Sequence, residues 1–225
     1  MSSRALIERW IALAGENGRA AGEDLIARYS EPHRRYHGVR HLIDVLNAVD
    51  ELAADAQDAD AVRLAAWFHD AVYAAGTEAA DVPSDEKADE PSDEEASARL
   101  AEHVLGGLGL PAALVAETAR LVRLTETHAA PPDDANAAVL CDADLAILGS
   151  GPEQYAVYTR AVREEYRSVP EELFRPARAR ILRALLSAPS LYRTPVARAR
   201  YEQQARANVT AEIGRLDGDA GTEPE

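Results

Sequence analysis

Three apolar stretches of this chain are each interrupted by side chains that bind metal ions. His41 lies in VRHLIDVLNAVDELA, where Leu42, Val45, Leu46, Val49 and Leu52 repeat at helical spacing; His41 falls one turn before Val45 and points inward at the edge of that stripe. His69 and Asp70 stand together in VRLAAWFHDAVY, which is apolar almost all the way round. Asp142 and Asp144 sit two residues apart in AAVLCDADLAIL. A buried unpaired carboxylate costs several kcal/mol, and two in one apolar helix also repel each other. A divalent cation resolves both problems. The structural alternatives are a hydrogen-bonded core histidine at 41, an Asp–His or Asp–Arg pair at 69–70, and an Asp142 that meets free N–H groups near a helix start. Neutral imidazole with carboxylate is a mixed nitrogen and oxygen donor set that suits Mn, Fe, Co, Ni or Zn and lacks the thiolates of a structural zinc site. Cys141, the sole cysteine, reads as a small buried hydrophobe.

The elements that position these side chains read as helices throughout. Ala, Leu, Arg and Glu dominate, β-branched runs are short, and no stretch alternates convincingly as a strand. Helices are expected near 4–14, 20–29, 39–54, 59–73, 93–106, 111–127, 137–148, 152–168, 171–187 and 194–215. Gly38, Pro111, the Gly149–Pro152 stretch, Pro170 and Pro189 punctuate them. No internal repeat or linker divides the chain. The expectation is one all-α domain over 1–216 with its metal site between core helices, an acidic mobile loop over 76–92, and a disordered acidic tail over 217–225.

Net charge is −15, with 39 Asp+Glu against 24 Lys+Arg. Residues 77–95 hold nine of the acids and the one lysine, Lys87; with the tail also set aside, 26 acids face 23 arginines, so the body is nearly balanced. The field opposes a nucleic-acid backbone, which excludes nucleic-acid polymers as partners. No apolar run approaches the ~18 residues of a membrane span. A single cysteine and a charged beginning, with Arg4, Glu8 and Arg9, point to a cytoplasmic protein. The sequence does not indicate an oligomeric state.

In order and spacing, His41, His69-Asp70 and Asp144 resemble the HD superfamily of metal-dependent phosphohydrolases, and the longer segments RYHGVRHL (35–42), AAWFHDAVY (65–73), CDADLAILG (141–149), YAVYTRAVREEY (155–166) and ARANVTAEI (205–213) are similar to its small stand-alone members. The likeness spans about residues 5–215. It implies an all-α HD-type fold, a divalent transition metal held by His41, His69, Asp70 and Asp144 with Asp142 as the alternate to Asp144, and hydrolysis of a nucleotide or other small phosphate ester. Where these relatives carry Asp-Asn-Glu before a Ser-Ala pair, this chain has Ser92-Asp93-Glu94 before Ser97-Ala98, which makes Glu94, with Asp93, the candidate general acid or base. Arg34 and Arg35 are candidates for holding the phosphate of a small phosphorylated substrate, since guanidinium binds it bidentately. His37, four residues before His41, and His128, in LTETH, are candidates for a surrounding shell or a second metal; for His128 a helix C-terminal cap is the alternative. His33 and His103 read as surface residues, and Tyr36 and Tyr73 as packing. Two other functions compete: a di-iron oxygenase of the HD type, and a catalytically silent helical binding module stabilised by metal.

Overall fold

The computed structural model describes residues 3–74 and 91–218. Among them the chain is all α, with no strand: α1 (Ser3–Ala14), α2 (Arg19–Tyr29), α3 (Val39–Leu52), α4 (Ala59–Phe68), α5 (Asp93–Gly107), α6 (Ala112–Leu124), α7 (Ala135–Asp144), α8 (Pro152–Glu165), α9 (Glu171–Ser187) and α10 (Pro195–Gly218). Short 3₁₀ turns at Glu16–Gly18, Ala53–Asp55 and Leu145–Gly149 join some of these helices. No helix among the described residues is long and apolar enough to cross a membrane.

α4 is the central rod. Asp58 caps it by accepting the Ala61 N–H at 3.0 Å, and Ala61, Val62, Leu64, Ala65, Ala66, Trp67 and Phe68 are all buried. α3, α5, α6 and α7 pack around it. Trp10 of α1 closes one end, edge-on to Trp67 with ring centroids 5.3 Å apart and to Phe68 at 5.9 Å, while its indole N–H donates to Gly18 O at 2.7 Å. Burial of each such aromatic ring contributes roughly 1.5–3 kcal/mol. α10 lies across the Leu145–Gly149 turn and against α9.

Several helices are shorter than their apolar patterns suggest, and the reasons bear on the site. The helix expected over 59–73 stops at Phe68, because the Asp70 N–H is hydrogen-bonded to the Tyr29 hydroxyl at 3.2 Å and Arg34 takes the carbonyls of Asp70 and Ala71 at 2.7 and 3.3 Å. The segment expected over 137–148 leaves the α conformation after Asp144 and tightens to 3₁₀. The helix expected over 111–127 ends at Leu124 and turns through His128. At the other end of the chain, α10 includes Asp217, which pairs with Arg183 at 2.5 Å, so residues 217 and 218 of the expected tail are helical. Residues 75–90, most of the expected acidic loop, and residues 219–225 lie outside the described residues.

Candidate metal centre

Three separate elements bring four donor atoms together. His41 comes from the first turn of α3, His69 and Asp70 from the turn that ends α4, and Asp144 is the last residue of α7. His41 Nε2 lies 3.0 Å from His69 Nε2, 3.3 Å from Asp70 Oδ2 and 3.2 Å from Asp144 Oδ1. His69 Nε2 lies 3.1 Å from Asp70 Oδ2 and 3.7 Å from Asp144 Oδ1. Ligands about 2.1 Å from a common ion stand roughly 3.0–3.4 Å apart at tetrahedral or right-angle corners, and four of these five separations fall in that range. His41, His69 and Asp70 form a group able to hold a metal ion. Asp70 Oδ2 is buried with no hydrogen-bond partner, an orphaned charge-bearing atom of the kind a cation satisfies.

The tautomer of His69 is fixed by its surroundings. Its Nδ1 lies 2.8 Å from the Ala66 carbonyl, which only accepts, so Nδ1 carries the proton and Nε2 keeps its lone pair toward the cluster. Electrostatics agree with a cation site. Burial opposes charge on His41, but the Asp144 and Asp70 carboxylates beside it outweigh that and push the pKa up to about 10. Burial likewise works against ionised Asp70 and Asp144, yet His69 and His41 beside the first, and His128 and His41 beside the second, hold both carboxyls well below the usual range. Without a metal, a proton on imidazole occupies the place between the carboxylates that a divalent ion fits.

The choice between the two aspartates of α7 follows from geometry. Asp142 is fully buried and faces away: its carboxylate accepts the backbone N–H of Arg193 at 2.8 Å and of Thr194 at 2.7 Å. It anchors the start of α10, and Asp144 is the one beside the histidines. Asp144 also uses its second oxygen, Oδ2, to accept from His128 Nε2 at 2.7 Å. His128 therefore belongs to the surrounding shell through Asp144.

Arg34 differs from its expected phosphate-holding role. Its side chain has no exposed area, and its N–H groups are engaged by the carbonyls of His37, Asp70 and Ala71 and by the Glu31 carboxylate. It is a strut under the His69-Asp70 turn. Arg35 is exposed, at a cavity of about 500 Å³ that also reaches Tyr36, Arg40, His41 and Tyr158. His33, expected at the surface, is half-buried with Nε2 3.0 Å from the Tyr73 carbonyl and its ring stacked over Tyr73. His103 is exposed, as expected.

Asp93 and Glu94 open α5, whose start is tied to the turn after Asp70: Asp93 accepts the Ala74 N–H at 2.8 Å and Ser97 Oγ accepts the Val72 N–H at 2.9 Å. Ser92 caps this helix through the Glu95 N–H at 3.2 Å. Glu94 is half-buried, and burial with the neighbouring charges of Glu126 and Asp93 raises its pKa above the ordinary carboxylate value.

Glu165 was not singled out by sequence reasoning, yet it organises one wall of the site. Only 1% exposed, its Oε1 accepts the backbone N–H groups of Arg35, Tyr36 and His37 at 2.8, 2.7 and 2.9 Å. Its Oε2 pairs with His37 Nδ1 at 2.7 Å and accepts from the Tyr73 hydroxyl at 3.1 Å. The signal was present: Tyr155, Tyr158, Val162 and Glu165 share one helical stripe and are all buried, so the acid sits where the pattern demands an apolar residue. Tyr29 and Arg193, which act through distant backbone groups, carried no such local signal.

No protein-family model matches this chain, and no curated protein or solved structure matches it significantly.

Proposed function

We propose that the protein is a metal-dependent phosphohydrolase acting on a nucleotide or other small phosphate ester. The observation that carries this reading is the buried group of His41, His69 and Asp70, with Asp144 Oδ1 3.2 Å from His41 Nε2 and Asp70 Oδ2 left without a hydrogen-bond partner. A divalent Mn, Fe, Co, Ni or Zn ion bound there supplies Lewis acidity toward a phosphoryl oxygen and a water that ionises near neutral pH. The two carboxylates neutralise that ion, which leaves phosphate charge for a nearby guanidinium. We assign that role to Arg35, which is exposed at the cavity that also reaches His41, since Arg34 is engaged by carbonyls. Glu94 takes the proton-transfer role: its raised pKa brings it nearer to working pH than an ordinary carboxylate, and α5 is tied to the turn that follows Asp70. The HD-type oxygenase reading requires more donors for a second iron, whereas His128 has its Nε2 on Asp144 and His37 its Nδ1 on Glu165.

Elemental analysis of the full chain beside Asp70→Ala tests the first half of this reading. Near-stoichiometric transition metal in the wild type and its loss in the variant are expected. A screen of phosphate esters with the metal-loaded protein and Glu94→Gln tests the second half; turnover that falls at least 100-fold in the variant supports it. Absence of metal after reconstitution with all five ions overturns the reading.

A further inference from the structure

His128 is the one non-glycine residue with positive φ among the described residues, at 52°. Its N–H donates to Leu124 O at 3.0 Å, which closes the last turn of α6 in the left-handed cap geometry where glycine or asparagine is usual. A residue with a Cβ is uncommon at positive φ, histidine less so than most, and it persists where surrounding contacts hold it. Both partners are visible. The Arg193 Nη2 donates to the His128 carbonyl at 2.6 Å, and the His128 ring reaches Asp144 Oδ2 at 2.7 Å. Arg193 is itself fixed by Asp142, which accepts its backbone N–H, so the contacts run from Asp142 through Arg193 and His128 back to Asp144, two residues along the same helix.

We propose that Arg193 is a positioning residue of the metal centre: by holding the His128 carbonyl it keeps His128 in the left-handed conformation, from which the ring fixes one oxygen of Asp144 and turns the other toward His41 and His69. The inference rests on the metal-binding half of the function proposed above and not on its ester chemistry. Asp142 thereby has a part in the centre without being a ligand. The side chain of Arg193 can be removed without touching the backbone N–H that Asp142 holds, so its contribution is separable from the anchoring of α10.

The test is Zn²⁺ affinity of the full-length, metal-stripped protein, measured by competition with a chromophoric chelator. Arg193→Ala and His128→Ala are each expected to bind Zn²⁺ about 10–100-fold more weakly than wild type. The double variant is expected to bind no more weakly than the weaker single one, because both act through the same contact with Asp144. Arg193→Lys, which retains one donor for the carbonyl, recovers part of the loss. His128→Gly gives a second readout that needs no metal: both it and His128→Ala lose the ring, and relief of the left-handed strain makes the glycine variant melt above the alanine one in the metal-stripped state while Zn²⁺ affinity is low in both. Arg193→Ala binding within twofold of wild type, or effects of the two single variants that multiply in the double, overturns the proposal. Wild type that binds no Zn²⁺ overturns it together with the metal site, whereas tight, Arg193-dependent binding without turnover of any ester sinks the hydrolase reading alone.

Discussion

The Nε2 atoms of His41 and His69 face each other at 3.0 Å, although they come from helices whose sequence positions are 28 residues apart. Two imidazole nitrogens at that distance share either a proton or a cation. The proton is held tightly, since Asp144 and Asp70 overcome the burial of His41 and lift its pKa to about 10. Metal binding must displace it. Affinity for a divalent ion is therefore expected to rise about tenfold per pH unit between neutral pH and about 10, with one proton released per ion; calorimetry in buffers of different ionisation enthalpy counts that proton. Binding to the folded state alone also raises the melting temperature, and a chelator reverses the gain.

Glu165 predicts a specific acid sensitivity. Burial works against its charge, but the hydrogen bond and charge of His37 and the backbone N–H groups of His37 and Tyr36 hold its pKa down to about 2, against an unfolded value near 4.5. A lowered folded-state pKa contributes stability above the unfolded pKa, and that stability is lost as pH falls through the folded one. The window is therefore about pH 4.5 to 2, and the contribution at neutral pH is on the order of 3 kcal/mol. Glu165→Gln is expected to flatten the pH dependence of urea unfolding in that window and to lower stability at pH 7. An unchanged acid limb in the variant would show that another carboxylate dominates it.

The fold class and the buried His-His-Asp group were legible in the sequence because both announce themselves locally. Helical periodicity marks α3, and a metal-binding side chain inside an apolar run marks His41, Asp70 and Asp144. Asp142 and Asp144 could not be separated this way, since both interrupt the same run; only the arrival of the Arg193 and Thr194 N–H groups from 51 and 52 residues away decides between them. The end of α4 was hidden for a similar reason. Nothing in AAWFHDAVY stops a helix, and what stops it is the Tyr29 hydroxyl and the Arg34 guanidinium. Guanidinium chemistry suggested a phosphate site at Arg34, whereas its long side chain turns inward and donates to carbonyls.

Gly149 ends the 3₁₀ turn that follows Asp144, and α10 lies directly on it. A Cβ there would stand 2.5 Å from Tyr201 Cβ, 2.8 Å from its Cα and 2.9 Å from its carbonyl oxygen. Backbone cannot yield as a side-chain tip can, so Gly149→Ala forces α10 and the turn apart. A loss of about 1–3 kcal/mol is expected, as for other overpacked sites. Gly106, inside α5, has open space where its Cβ would stand. Gly106→Ala is expected to stabilise by roughly 0.4–1 kcal/mol through helix propensity and a less flexible unfolded chain. Urea unfolding of the two variants side by side checks the contrast; equal shifts would mean that the Gly149–Tyr201 contact is not close-packed.

Cys141 stands in α7, one residue before Asp142 and three before Asp144, and offers a probe of both folding and coordination. It is fully buried, and burial, only partly offset by the Arg193 charge, pushes its thiol up to about 12. The thiolate is the reactive form, and at pH 8 only about one thiol in 10⁴ is ionised. A disulfide reagent is therefore expected to leave native protein unmodified while it labels guanidinium-unfolded protein fully. Labelling below the unfolding transition then reports opening of the core around α7. The same thiol tests the donor set. His41, His69, Asp70 and Asp144 supply nitrogen and oxygen only, so a cobalt-loaded protein is expected to show ligand-field bands without a thiolate charge-transfer band, and Cys141→Ser to bind cobalt as wild type does. A charge-transfer band lost in Cys141→Ser would place sulfur in the coordination sphere and require α7 to rotate from the register in which Asp144 faces the histidines.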